Sequence, residues 1–179
     1  MNKLKGLRAY LAGAMDYCPT SGRQWRQEIT PWLKERGVLV FDPTDNPIEI
    51  GPETIENREY RKHLRETGQF DMISKEMRLI RSVDLRMVDI VDFVIVSLDR
   101  EVYTAGTWEE LYDANRSKKP LVVRIAQGKT ECPDWLFGTI PHHMIFGTWA
   151  EVYNYLTHVD GGGDCDPRWR FFDLAKVAA

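Results

Sequence analysis

Short apolar runs alternate with amphipathic stretches along this chain. "LRAYLAGA" (7–14), "VLVFDP" (38–43), "FVIVSL" (93–98) and "LVVRI" (121–125) are bounded by Gly, Pro or Asp and read as strands. "FVIVSL" is apolar almost throughout, between Asp92 and Asp99, which suits a central parallel strand covered on both faces. Between the runs the spacing turns helical. Trp25, Ile29, Trp32 and Leu33 share one face over 22–37, and Gly37 stops that helix. Residues 107–119 form a second helix ended by Pro120, and 148–159 a third, opened by a Thr148 cap. Residues 44–54, with two prolines, read as loop. The charged stretch 55–89 carries Met72, Ile73, Met77, Ile80 and Val83 or Met87 at helical spacing, with Gly68 as a break, so one or two helices are expected. The alternation predicts a single-domain, doubly wound α/β fold, flavodoxin- or Rossmann-like, with a mostly parallel sheet of four or five strands. The fifth strand would be "HMIF" (143–146). The predicted organisation is a domain over 1–159, with a charged helical insertion at about 45–82, and a C-terminal arm over 160–179. That arm opens on three glycines and carries Trp169, Phe171 and Phe172, which suit docking on its own subunit or a neighbour.

Composition narrows the partners. The chain has 179 residues, 43% hydrophobic and 28% charged, the make-up of an ordinary globular domain. A net charge of −3, from 24 basic and 27 acidic residues, offers no basic field for polymeric nucleic acid. A small anion needs only a local nest of amides or one or two Arg side chains, so that class stays open. Cys18, Cys132 and Cys165 are odd in number and unpaired by spacing, which suits a reducing cytoplasm. The apolar run after Arg8 is too short for a secretory signal, and no stretch approaches membrane-span length; a cytoplasmic protein without membrane contact is expected.

In open parallel sheets, ligands sit beyond the carboxyl ends of the strands where strand order reverses. "GAMDYCP", "DPTDNP" and "DREVYTAGTWEE" occupy such ends here. In the last of them, Thr107 and Glu110 match the S/T-x-x-E capping box, and acids favour the positive end of a helix dipole. The same placement keeps a carboxylate ionised beside the strand ends, where it could act as a nucleophile, and Gly106 lets a ligand approach the backbone. The two roles compete, because a Glu110 folded back onto its own helix cannot face a substrate. His63, His142, His143 and His158 lack metal-ligand spacing. No GxGxxG, Walker A or GxSxG pattern occurs.

"YLAGAM", "SVDLRMVDIVDFVIVSLD" and "GTWEELYDANRSKKPLVV", in that order from Leu7 to Ile125, resemble the nucleoside 2-deoxyribosyltransferase family, which includes 2'-deoxynucleoside 5'-monophosphate N-glycosidases. The resemblance implies that Glu110 is the nucleophile and Glu109 its exposed neighbour, that Tyr10 orients the nucleophile, and that Asp84 assists departure of the base. The implied reaction is cleavage or transfer of the N-glycosidic bond of a 2'-deoxynucleoside through a covalent deoxyribosyl-Glu intermediate. It implies no metal or organic cofactor, a small-molecule nucleoside or nucleotide as partner, and a homo-oligomer. Gly13, Asp16, Arg23, Thr104, Gly106, Thr107 and Trp108 are the expected substrate-binding positions, with Trp108 lining a base pocket. Asp92 reads as a turn or cap residue and Asp89 as a solvated charge. The chain departs from the family pattern in two places. Thr104 stands where members often carry Asp, and Asp16 stands in the loop where the monophosphate hydrolases have Ser and Gly. Arg23 and Arg26 at a helix start keep a phosphate, and hence an N-glycosidase acting on monophosphates, as the alternative. Thr104 and the long insertion motivate another alternative, a noncatalytic nucleotide-binding or sensor protein.

Overall fold

In a computed structural model, residues 2–15, 17–18, 22–45, 54–163 and 165–172 are described. Five strands form one parallel sheet: β1 (Arg8–Gly13), β2 (Leu39–Phe41), β3 (Phe93–Leu98), β4 (Leu121–Ile125) and β5 (Ile145–Phe146). Their spatial order is β2-β1-β3-β4-β5, so strand order reverses between β1 and β3. Tyr10 pairs with Phe41 on one side and Val94 on the other, at the centre of the sheet.

Side-chain parity sorts the core into two layers. Tyr10, Ala12, Val94, Val96, Leu98, Leu121 and Val123 face one side, and Ala9, Leu11, Phe93, Ile95 and Val122 the other. Helices α3 (Phe70–Ile90), α4 (Ala105–Arg116) and α5 (Asp134–Thr139) cover the first layer through Met87, Val88, Leu111, Ala114, Leu136 and Ile140. Helices α1 (Arg23–Glu35) and α6 (Trp149–Asp160) cover the second through Ile29, Leu33, Val152, Leu156 and Val159. The expected doubly wound α/β architecture is therefore observed, with the predicted "HMIF" strand reduced to two residues behind a 3₁₀ turn over His142–Met144. Tyr10 lies on the α3/α4 side, and that parity determines which helices can meet it.

The charged stretch is two helices, α2 (Ile55–Glu66) and α3, separated by Gly68 with φ of +72°. The short helix α5, after Pro133, had no counterpart in the sequence reading. Trp169 of the C-terminal arm is wholly buried against Phe93, with ring centroids 5.1 Å apart, and its indole N–H donates to the Tyr155 hydroxyl at 2.9 Å. The described part of the arm thus docks on its own subunit. Among the described residues, no helix is long and apolar enough to cross a membrane.

Candidate active site

Helix α4 begins at Ala105, three residues before the Trp108 start that a Thr107 cap implies. Thr104 occupies the N-cap position in an extended conformation, with φ of −151°. The Thr104 hydroxyl donates to the Thr107 hydroxyl at 2.6 Å, and the N-cap makes no side-chain cap bond among the described residues. The expected capping box at Thr107 and Glu110 is therefore absent. Thr107 is already inside the helix, and Glu110 lies beyond the first turn, where no free amide is left for it to satisfy. Its carboxylate turns inward instead, accepting the Tyr10 hydroxyl at 2.8 Å.

This bond crosses from β1 to α4 at the point where strand order reverses. Glu110 is 7% exposed and Asp84, from α3, is 8% exposed. Burial pushes Glu110 up to about 7, against the Tyr10 hydrogen bond, which favours the charged form; the Asp84 charge adds to the rise and Arg26 opposes it. Burial likewise pushes Asp84 up to about 6, again opposed by Arg26. Burial and the two neighbouring acids drive the Tyr10 phenol well above its ordinary value, which keeps it a hydrogen-bond donor. The Asp84 Oδ1 atom is buried with no hydrogen-bond partner among the described residues. An orphaned buried carboxyl oxygen costs free energy, and such groups concentrate at sites that bind a ligand. Glu109 behaves differently. It is half-exposed and held by the Arg81 guanidinium fork, with Nε to Oε2 at 2.8 Å, which keeps it below the usual carboxylate range.

A single buried guanidinium organises the floor. Arg26 is 0% exposed, donating from Nε to the Leu11 carbonyl at 3.1 Å, from Nη1 to Gly22 at 2.8 Å and from Nη2 to Gly13 at 2.9 Å. Asp42, 3.6 Å from Nε, supplies its counter-charge. These bonds stitch the carboxyl end of β1 to the start of α1. Gly22 sits at φ of +63°, where a Cβ would come within 2.2 Å of the Ala14 carbonyl oxygen, so the turn requires glycine.

Glu110, Asp84, Gly13, Thr104, Gly106 and Thr107 converge on one cavity of about 380 Å³, within the usual range for small-ligand sites. Trp108 lines a separate cavity of about 370 Å³ with Leu98, Ile125 and Pro133 on the far side of residues 103–105. Arg23 is half-buried on the first turn of α1 and lines neither space. Asp16 lies outside the described residues. Asp92 accepts the Arg8 amide at 2.7 Å and its guanidinium at 2.9 Å, a structural pairing at the start of β3, and Asp89 is exposed.

No protein-family model matches the chain, and no curated protein matches it. Among solved structures, a 2-deoxyribosyltransferase from Bacillus psychrosaccharolyticus is similar over 83% of this chain and 91% of its own, with a TM-score of 0.55 at 18% identity. The two chains share a flavodoxin-like fold. A 2-desoxiribosyltransferase from Leishmania mexicana is 20% identical, over 68% of this chain and 66% of that one, with a TM-score of 0.45. A CMP N-glycosidase from Clostridium botulinum is 16% identical, over 84% and 98%, with a TM-score of 0.46.

On this fold, several cavity residues escaped the sequence reading. Met77, Ile80, Arg81 and Leu85 line the cavity with Asp84 because they stand at helical spacing on one face of α3. Extending that face from Asp84 would have found them. Tyr17 and Tyr103 meet edge-on at 6.2 Å on the cavity wall. They come from two loops and leave no local signal.

Proposed function

We propose that the chain cleaves the N-glycosidic bond of 2'-deoxynucleosides or their monophosphates and passes the deoxyribosyl group to an acceptor base, with water as the competing acceptor. The carrying observation is that Glu110, free of its own helix cap and fixed by Tyr10, sits beside Asp84 in the same cavity. The fold shared with the Bacillus psychrosaccharolyticus 2-deoxyribosyltransferase supports the reading.

The Tyr10 bond occupies Oε1 of Glu110 and leaves the other oxygen to attack the anomeric carbon. The glycosidic C–N bond breaks as the C–O ester bond forms, and the base leaves with the Asp84 proton. A deoxysugar, without its 2-hydroxyl, develops oxocarbenium character readily, so one aimed carboxylate and one acid suffice. In the second half the acceptor attacks the same carbon, the ester breaks, and the proton of the acceptor returns to Asp84. Burial lifts Glu110 to about 7 and Asp84 to about 6, so around pH 6 to 7 the pair holds one proton, and the reactive form is the minor one in which that proton sits on Asp84 and Glu110 is ionised. The exposed pair Tyr17 and Tyr103 offers a base an aromatic edge at the wall.

The test is chromatographic. The protein is offered deoxynucleosides and deoxynucleoside monophosphates, with and without a second base. The expected outcome is base release, with exchange when a second base is present, and a deoxyribosyl adduct on the Glu110 peptide by mass spectrometry. Unchanged release from Glu110→Ala protein would overturn the nucleophile. Saturable binding without release from any substrate would leave a noncatalytic nucleotide-binding protein.

A further inference from the structure

A second cavity of about 370 Å³ lies beside the Glu110 cavity of about 380 Å³, and the proposed chemistry leaves it unused. Leu98 and Ile125, paired across the carboxyl ends of β3 and β4, line it with Val102, Trp108 and Pro133. The two spaces share Tyr103, Thr104 and Ala105, so the stretch 103–105 is their common wall. Trp108 is braced by Tyr112, stacked with ring centroids 5.9 Å apart. The polar side chains at Asp99, Arg100 and Thr104 are engaged with neighbours. Asp99 accepts the Glu101 amide at 2.9 Å and the Gln127 side-chain amide at 2.6 Å, Arg100 pairs with Glu131, and Thr104 donates to Thr107 at 2.6 Å. What remains is largely apolar and aromatic surface. A sugar or a phosphate seated there would leave hydroxyls or charge without partners, which is costly. A free nucleobase is flat and uncharged and stacks on an indole. Transfer also needs a second base. Water is in large excess as an acceptor of the deoxyribosyl group, so a base competes with it only where it is held close to the ester. Tyr103, 74% exposed, stands at the edge common to both cavities.

We propose that the cavity between Val102, Trp108 and Pro133 holds a free nucleobase, the acceptor for transfer, while the donor deoxynucleoside occupies the Glu110 cavity. This rests on the Glu110 cavity being the reaction site. Trp108 then serves transfer rather than cleavage, by favouring a base over water as the acceptor.

Calorimetric titration of Glu110→Gln protein, which cannot form the ester, tests the cavity apart from the chemistry. Adenine is titrated into the free chain and into the chain saturated with thymidine. It is expected to fill two sites in the free chain and one in the saturated chain. Val102 is half-buried and lines this cavity but not the Glu110 cavity, so Val102→Trp fills the proposed site alone. That change, and Trp108→Leu, which removes the stacking ring, should each weaken the remaining site about tenfold or more. Loss of all adenine binding on saturation, or a remaining site unchanged in both variants, overturns the proposal. Turnover is scored separately, with thymidine as donor and adenine as acceptor. Val102→Trp should shift the ratio of exchange to hydrolysis about tenfold toward hydrolysis while total thymine release holds. Release with that ratio unchanged removes the acceptor site and keeps the reaction, whereas adenine binding to the saturated chain without release from any substrate keeps the base site and removes the reaction.

Discussion

Residues 106–112 read GTWEELY and residues 147–153 read GTWAEVY, yet the two stretches fold into opposite arrangements. At the second, α6 starts at Trp149, and the full capping box forms. The Thr148 hydroxyl accepts the Glu151 amide at 3.2 Å, while Glu151 accepts the amides of Gly147 at 2.8 Å and Thr148 at 2.9 Å. At the first, α4 has already started at Ala105, so the Thr of the same pattern lies inside the helix and the Glu beyond its first turn. Glu151 is exposed, and those amides hold it below the ordinary carboxylate range. Glu110 is buried and pushed up to about 7. A start three residues earlier turns a cap into a candidate nucleophile.

The comparison can be broken most decisively at the two glutamates. Glu110→Gln should lower base release by about a thousandfold or more, as loss of a nucleophile does, whereas Glu151→Gln should leave turnover unchanged in the same assay. Stability should respond with opposite pH signs. Glu110 has a folded value of about 7 against an ordinary 4.5. Its protonated form is favoured in the folded chain, so its contribution is fully present below about pH 4.5 and is lost as pH rises through 7. Glu110→Gln should therefore stabilise the chain by up to about 3 kcal/mol at pH 8 in denaturant titrations, with the gain vanishing in acid. Glu151 has a lowered value, so its contribution is present above the ordinary carboxylate range and is lost as pH falls, and Glu151→Gln should show the reverse trend.

In the proposed cycle Asp84 supplies the proton, so Asp84→Asn should cost about a hundredfold in kcat and remove the alkaline limb of a bell-shaped pH profile. The acid limb, set by Glu110, should persist. Tyr10→Phe should cost about tenfold and move that acid limb upward, since the lost hydrogen bond favours the ionised Glu110. The smallest effect should be Thr148→Ala, about 1 kcal/mol of stability with activity intact.

Much of the fold was legible because apolar runs and parity are local. "FVIVSL" and "LVVRI" announced the central strands, and Thr148 announced its cap correctly. The start of α4 was not legible, because Thr104 and Thr107 stand three residues apart and either could open a helix. The deciding contact comes from Tyr10, 100 residues away in sequence. Arg58, Arg61 and Arg65 of α2 were visible as charge, but the stripe they form was not visible as a pocket. What makes it one is Tyr17 and the neighbouring turn of α3, whose positions only the tertiary packing sets. Trp108 looked suited to a base pocket by proximity to Glu110, but successive helical residues point in different directions, and it faces the adjoining cavity.

The buried Arg26 guanidinium has a consequence for charge conservation through turnover. It acts electrostatically on both Glu110 and Asp84. In the proposed cycle an ionised Glu110 and a neutral Asp84 become a neutral ester and an ionised Asp84, so the negative charge changes address but not amount. Beside its standing Asp42 counter-charge, Arg26 acts on one negative charge of the Glu110–Asp84 pair at every stage of that cycle, and no ion has to enter or leave the low-dielectric interior for the reaction to advance.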